Sequence, residues 1–70
     1  MKIQDRIQFS KFKKKFGWLF STKELKEIAK CIEQKDYYRI IDIFDKDEKR
    51  RYLKEERKEL HCYLKIHFNV

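Results

Sequence analysis

One glycine and no proline occur in this 70-residue chain, and that scarcity limits what it can fold into. Glycine supplies the left-handed backbone of tight hairpin turns, and proline presets φ for the commonest turn types. A barrel or sandwich needs such residues at nearly every reversal. A chain almost without them is directed toward helices joined by short polar caps.

The length makes one domain, residues 1–70, and a domain of this size buries only about 60% of the surface that its unfolded chain exposes. Hydrophobic residues make up 41% of the chain and aromatic residues 16%. That is too apolar for a disordered segment, even with 44% charged residues, so a packed core is expected. There is no internal repeat, no linker and no low-complexity tract.

The apolar pattern changes period along the chain. Over residues 1–9, Ile3, Ile7 and Phe9 share one parity, the pattern of a short strand, with Asp5 as the exception. From Phe9 the spacing becomes helical: Phe9, Phe12, Phe16, Leu19 and Phe20 share a face, Lys11, Lys14 and Lys15 point away, and Gly17 ends or kinks the segment. Ser21 and Glu24 have the spacing of a capping box, and Leu25, Ile28, Ala29 and Ile32 follow it, predicting a helix over 22–34. Asp36 is placed to cap a second helix bearing Tyr37, Ile40, Ile41 and Phe44. Asp45 and Glu48 repeat the capping-box spacing ahead of a charged, mostly solvated helix over 46–60. In the last ten residues Cys62, Leu64, Ile66, Phe68 and Val70 alternate with polar neighbours, the pattern of a strand that would pair with residues 2–8 or with a second subunit. The predicted class is α+β, a mainly helical single domain with short terminal β-strands. The competing reading runs the last helix on through Leu60, Leu64 and Phe68 and gives an all-α bundle.

The net charge is +7, which draws a protein toward anionic partners without specifying a fold. The charge is uneven. Residues 1–20 carry six basic and one acidic side chain, 21–48 carry six and eight, and 49–70 carry seven and three. If the two ends of the chain meet, they form one basic face. No apolar window is long enough for a membrane span, and the first residues lack the features of a secretory signal, so an intracellular, cytoplasmic protein is expected. In that compartment Cys31 and Cys62 are expected as reduced, largely buried thiols. Residues with AT-rich codons (Phe, Tyr, Met, Ile, Asn, Lys) far outnumber Gly, Ala, Arg and Pro. Such a gene suits a low-GC bacterium, a phage or mobile element, or certain eukaryotic viruses, and points to a phage or viral accessory protein.

The segment Phe9–Phe20 is the most suggestive for binding. Lys11, Lys13, Lys14 and Lys15 can neutralise phosphates while Trp18, which lies off the Phe stripe, stacks on an unpaired base. The Phe stripe itself reads better as core. An interfacial membrane helix would have similar composition, but one short amphipathic helix is what any small domain displays, so a membrane partner is not the reading taken. In the second basic cluster Arg50, Arg51 and Arg57 are candidates for planar contact with phosphate or carboxylate. Most of their neighbours read as a salt-bridged, solvated helix. Tyr37 and Tyr38 are candidates for a protein interface, since one of an adjacent pair must face outward.

Metal and catalytic chemistry find little support. His61, Cys62 and His67 do not share a face on either a strand or a helix, and no CxxC or HxxxH pair is present. Asp42, Asp45, Asp47 and Glu48 lack the companions of a divalent-cation site, and helix capping accounts for two of them. No metal, no cofactor and no catalytic residue are predicted. The expected function is that of a small non-enzymatic regulatory or inhibitory protein docking on nucleic acid or a nucleoprotein through a basic face. The alternative is a protein–protein inhibitor or adaptor that uses exposed aromatics and can form a homodimer.

Overall fold

In the computed structural model, which describes residues 2–68, the chain forms four α-helices. They are α1 (Ile3–Phe16), α2 (Thr22–Gln34), α3 (Tyr38–Asp45) and α4 (Lys54–Phe68), with 3₁₀ turns at Gly17–Leu19 and Glu48–Tyr52. Of the described residues 87% are helical, the 3₁₀ turns included, and none forms a strand. The α+β expectation is therefore overturned, and the chain adopts the all-helical alternative.

Both expected strands fail for a physical reason. Leu60, Leu64 and Phe68 are four residues apart, a spacing that preserves both the parity of a strand and the face of a helix. Tyr63 decides between them: Leu60, Tyr63, Leu64 and Phe68 are buried together, the i, i+3, i+4, i+8 set of one helical face. Cys62 and Ile66, which a strand would turn inward, are exposed, Ile66 at 74%. The last two residues of the alternating run, Asn69 and Val70, lie outside the described residues. With no C-terminal strand to pair with, residues 2–8 would leave a row of backbone groups unsatisfied. They wind into α1 instead, which satisfies those groups internally.

The capping box forms as its spacing predicts. The Glu24 N–H donates to Ser21 Oγ at 3.2 Å, and the Ser21 N–H donates to Glu24 Oε1 at 3.0 Å. The far end of α2 closes through Lys35, which takes a left-handed conformation with φ 60° and ψ 30°. There the Asp36 N–H donates to the Cys31 carbonyl at 2.8 Å and the Lys35 N–H to the Ile32 carbonyl at 3.2 Å, a Schellman closure. Asp36 thus ends α2 through its backbone, and no side chain caps α3, which begins at Tyr38. Likewise Asp45 and Glu48 form no capping box. Asp47 caps the Glu48–Tyr52 turn by accepting from the Lys49 N–H at 3.0 Å, and the helix expected over 46–60 is split between that turn and α4.

The core draws on every helix. Phe12 and Phe16 of α1, Ile28 and Ile32 of α2, Ile40 and Phe44 of α3, and Leu60 and Leu64 of α4 are each at most 2% exposed. Consecutive helices pack on one another, and α4 closes against α1 through Tyr63, whose ring lies edge-on to Phe12 at 6.0 Å and Phe16 at 5.3 Å. The radius of gyration, 11.2 Å, matches the value of about 11 Å expected for a fully collapsed chain of this length. Residues without β-branching dominate the bottom of α1, and Gly17 opens the turn that follows it, with an ordinary right-handed backbone. None of the helices described is long and apolar enough to cross a membrane.

Candidate nucleic-acid interface

At 100° per residue, α1 presents one packed side and one outer side. Phe12 and Phe16 point inward with Phe9 beside them. Ile3, Ile7, Ser10 and Lys14 run along the outer side, and Lys11 and Lys15 share one flank while Arg6 and Lys13 share the other. All eight of these outer and flanking residues are exposed. The outward isoleucines, 76% and 50% exposed, explain why residues 1–9 did not read as a clean amphipathic helix.

All of Lys11, Lys13, Lys14 and Lys15 are exposed, and no acidic residue occurs between Arg6 and Lys23. Lys15 also guards the core: its Nζ lies 5.8 Å from the Phe16 ring centre and 5.7 Å from that of Tyr63, within cation–π range. Tyr63 in turn packs on His67 at 4.2 Å, so residues from the two ends of the chain gather around one tyrosine. Lysines in the last turn of α1 also suit the negative end of its helix dipole.

Trp18 follows these lysines in the Gly17–Leu19 turn and is 70% exposed. Its neighbours are anchored: Leu19 and Phe20 are buried, and the Phe20 N–H donates to the Gly17 carbonyl at 3.3 Å. No other ring among the described residues contacts Trp18.

The arginine candidates divide. Arg50 is turned inward and only 5% exposed. Its Nη1 donates to the Leu19 carbonyl at 2.8 Å and to Glu24 Oε1 at 3.2 Å, and its Nη2 donates to Glu24 Oε2 and to the Ile43 carbonyl at 3.1 Å. The guanidinium lies over Phe20 at 5.0 Å and Phe44 at 5.5 Å, and Nε is buried with no hydrogen-bond partner. Arg50 is thus a structural residue, not part of a basic surface. Arg57 is exposed but donates through Nε and Nη2 to both oxygens of Asp45, at 2.9 and 3.0 Å. This pair holds the Asp45 carboxyl below its ordinary range and raises the guanidinium, in both cases chiefly through the shared hydrogen bonds. Arg51 is exposed as expected.

Of the two tyrosines, Tyr38 faces out, 61% exposed, whereas Tyr37 is half-buried and stacked on Phe68 at 4.4 Å. Burial raises the Tyr37 hydroxyl above its usual value. Cys31 is buried, but Cys62, expected inside, is exposed, and both are free thiols. Among the described residues no three of His, Cys, Asp and Glu come together as a metal site. Periodicity could not reveal Arg50, because the charged run 45–51 has no apolar residue to mark its inward position. The one available signal was that gap itself, lying between two packed helices.

No protein-family model, no curated protein and no solved structure matches the chain.

Proposed function

We propose that this protein is a small, non-enzymatic, intracellular regulatory or inhibitory protein that docks on nucleic acid or a nucleoprotein through the outer face of α1. The observation that carries the reading is the exposure of Lys11, Lys13, Lys14 and Lys15 on an acid-free stretch beside the exposed Trp18. Lysines at that density neutralise phosphates and release counterions, and an exposed indole adds stacking. Arg51 is a further exposed cation, whereas Arg50 and Arg57 do not take part. An AT-rich gene fits a phage or mobile-element origin, and an exposed free thiol at Cys62 fits a reducing compartment.

The test is binding to labelled oligonucleotides over a salt series. Affinity should fall steeply with salt and be lost on charge reversal of Lys13, Lys14 and Lys15, with Arg57→Glu as the comparison. Binding confined to low salt would overturn the reading for free nucleic acid.

A protein–protein inhibitor or adaptor is the second reading, favoured by the exposure of Ile3, Ile7 and Tyr38. Such an interface would tolerate salt and depend on those apolar side chains. The dimer through a C-terminal strand is not carried forward, since residues 61–68 are helical.

A further inference from the structure

We infer that the α1 face takes single-stranded nucleic acid in particular, with lysines on the phosphates, one unpaired base stacked on Trp18, and no reading of sequence. The inference rests on the nucleic-acid reading above and specifies its ligand.

Duplex recognition by a helix needs side chains on the outer face that reach base edges, chiefly Arg, Lys, Asn and Gln. The outer face of α1 offers Ile3, Ile7 and Ser10 ahead of Lys14, and branched aliphatics have only the thymine methyl to contact in the major groove. Two of the planar forks that could bind guanine edges are also withdrawn, and the one arginine on α1, Arg6, lies on its flank, more than a turn ahead of the lysines. Arg50 is enclosed by Leu19, Glu24 and Ile43, and Arg57 is held by Asp45. The basic row beside Trp18, Lys11 to Lys15, is lysine alone, a point charge that neutralises a phosphate without distinguishing its base.

Trp18 supplies what a duplex cannot use. A stacking platform must stand clear of the protein surface and must not collapse onto it. Trp18 is 70% exposed, and the turn that carries it is fixed from both sides. Phe16, Leu19 and Phe20 are buried, and Arg50 Nη1 holds the Leu19 carbonyl at 2.8 Å. Arg50 is therefore a positioning residue for the platform. From Lys11 to Trp18 a helix would rise about 10 Å, a footprint of a few nucleotides. A paired base shows its face only at a duplex end, whereas every base of a single strand can stack.

The chain contains one tryptophan, so its emission reports this site alone. The full-length protein is titrated with a thymidine homopolymer, a uridine homopolymer, an adenosine homopolymer and a blunt duplex of equal length. The expected result is quenching by all three single strands with similar affinities, weaker binding to the duplex, and a log–log salt slope of about −0.7 per phosphate neutralised. Trp18→Ala should weaken single-strand binding about ten-fold or more while leaving the salt slope and the far-UV spectrum unchanged. Lys14→Glu should reduce the slope. Comparison of the thymidine and uridine arms shows whether DNA or RNA is preferred. Equal binding of duplex, or binding without quenching, overturns the single-strand inference and leaves the nucleic-acid reading standing. Absence of binding to all four overturns both.

Discussion

Arg50 reaches Glu24, 26 positions earlier in the chain, and donates to both of its carboxylate oxygens. The same carboxylate accepts from the Ser21 N–H at the start of α2. One acidic group therefore completes a helix cap and neutralises a buried cation, tying α2 to the Glu48–Tyr52 turn. Through the Leu19 and Ile43 carbonyls the guanidinium also joins the Gly17–Leu19 turn to the last turn of α3.

Removing Arg50 should be the most damaging single change among the charged residues of the chain. Arg50→Ala leaves the Glu24 carboxylate without its counter-charge and two carbonyls without the guanidinium donor, and opens space above Phe20 and Phe44, a combined loss of about 3 kcal/mol or more. In a domain whose total stability is on the order of 5 kcal/mol, that is most of it. Urea unfolding followed by far-UV circular dichroism should show it, with Arg51→Ala within about 0.5 kcal/mol of the parent. Equal effects of the two substitutions would contradict the buried role.

Acid should weaken the fold through the same pair. The hydrogen bonds from Arg50 outweigh partial burial and hold the Glu24 carboxyl below its ordinary value of 4.5. The unfolded chain thus binds a proton more readily than the folded one. The stabilisation is present above that value and is lost as pH falls through the lower native one. Asp45 acts in the same direction through Arg57, but more weakly because both partners are about half exposed. Glu24→Gln should be less stable at neutral pH and show a flatter decline on acidification. Parallel curves for Glu24→Gln and the parent would rule the pair out as the cause.

Lys35 sits at φ 60°, where a Cβ costs about 1 kcal/mol relative to glycine. Lys35→Gly should raise the urea midpoint by the equivalent of up to about 1 kcal/mol without altering the helix content. A destabilised variant would mean that the lysine side chain contributes more than its backbone geometry costs.

The Arg57–Asp45 pair is bidentate yet exposed, so Arg57→Ala should cost less than about 1 kcal/mol, and high salt should shrink the difference. A double-mutant cycle with Asp45→Ala, read from urea unfolding at low and high salt, isolates the coupling.

The two thiols should differ sharply in reactivity. Cys31 is buried and its thiol is pushed up by that burial, which keeps it protonated. Cys62 is exposed on α4. A chromogenic disulfide reagent should modify one cysteine at once in the native protein and reach the other only in denaturant. Rapid modification of both without denaturant would show that the core around Cys31 opens readily.

Local chemistry was legible wherever a signal and its response are a few residues apart. The Ser21 and Glu24 spacing predicted the start of α2, the repeat of Ile28 and Ile32 predicted its buried face, and Phe12 and Phe16 were recognisable as core. The basic row Lys11–Lys15 and the outlying Trp18 could also be picked out, because exposure follows directly from lying off an apolar stripe. The end of the chain could not be settled the same way, since Leu60, Leu64 and Phe68 fit both periods and only the packing of Tyr63 against Phe12 and Phe16 separates them.

Composition and spacing alone determined that this chain would be rich in helix, poor in turns, basic at both ends and marked by an exposed tryptophan beside lysines. Tertiary structure alone decided which charges remain outside. Arg50 and Arg51 are neighbours of the same chemical type, yet one closes the core and the other meets solvent. Their difference depends on a carboxylate 26 residues away and on the rings of Phe20 and Phe44, partners that no local pattern can place because only folding brings them together.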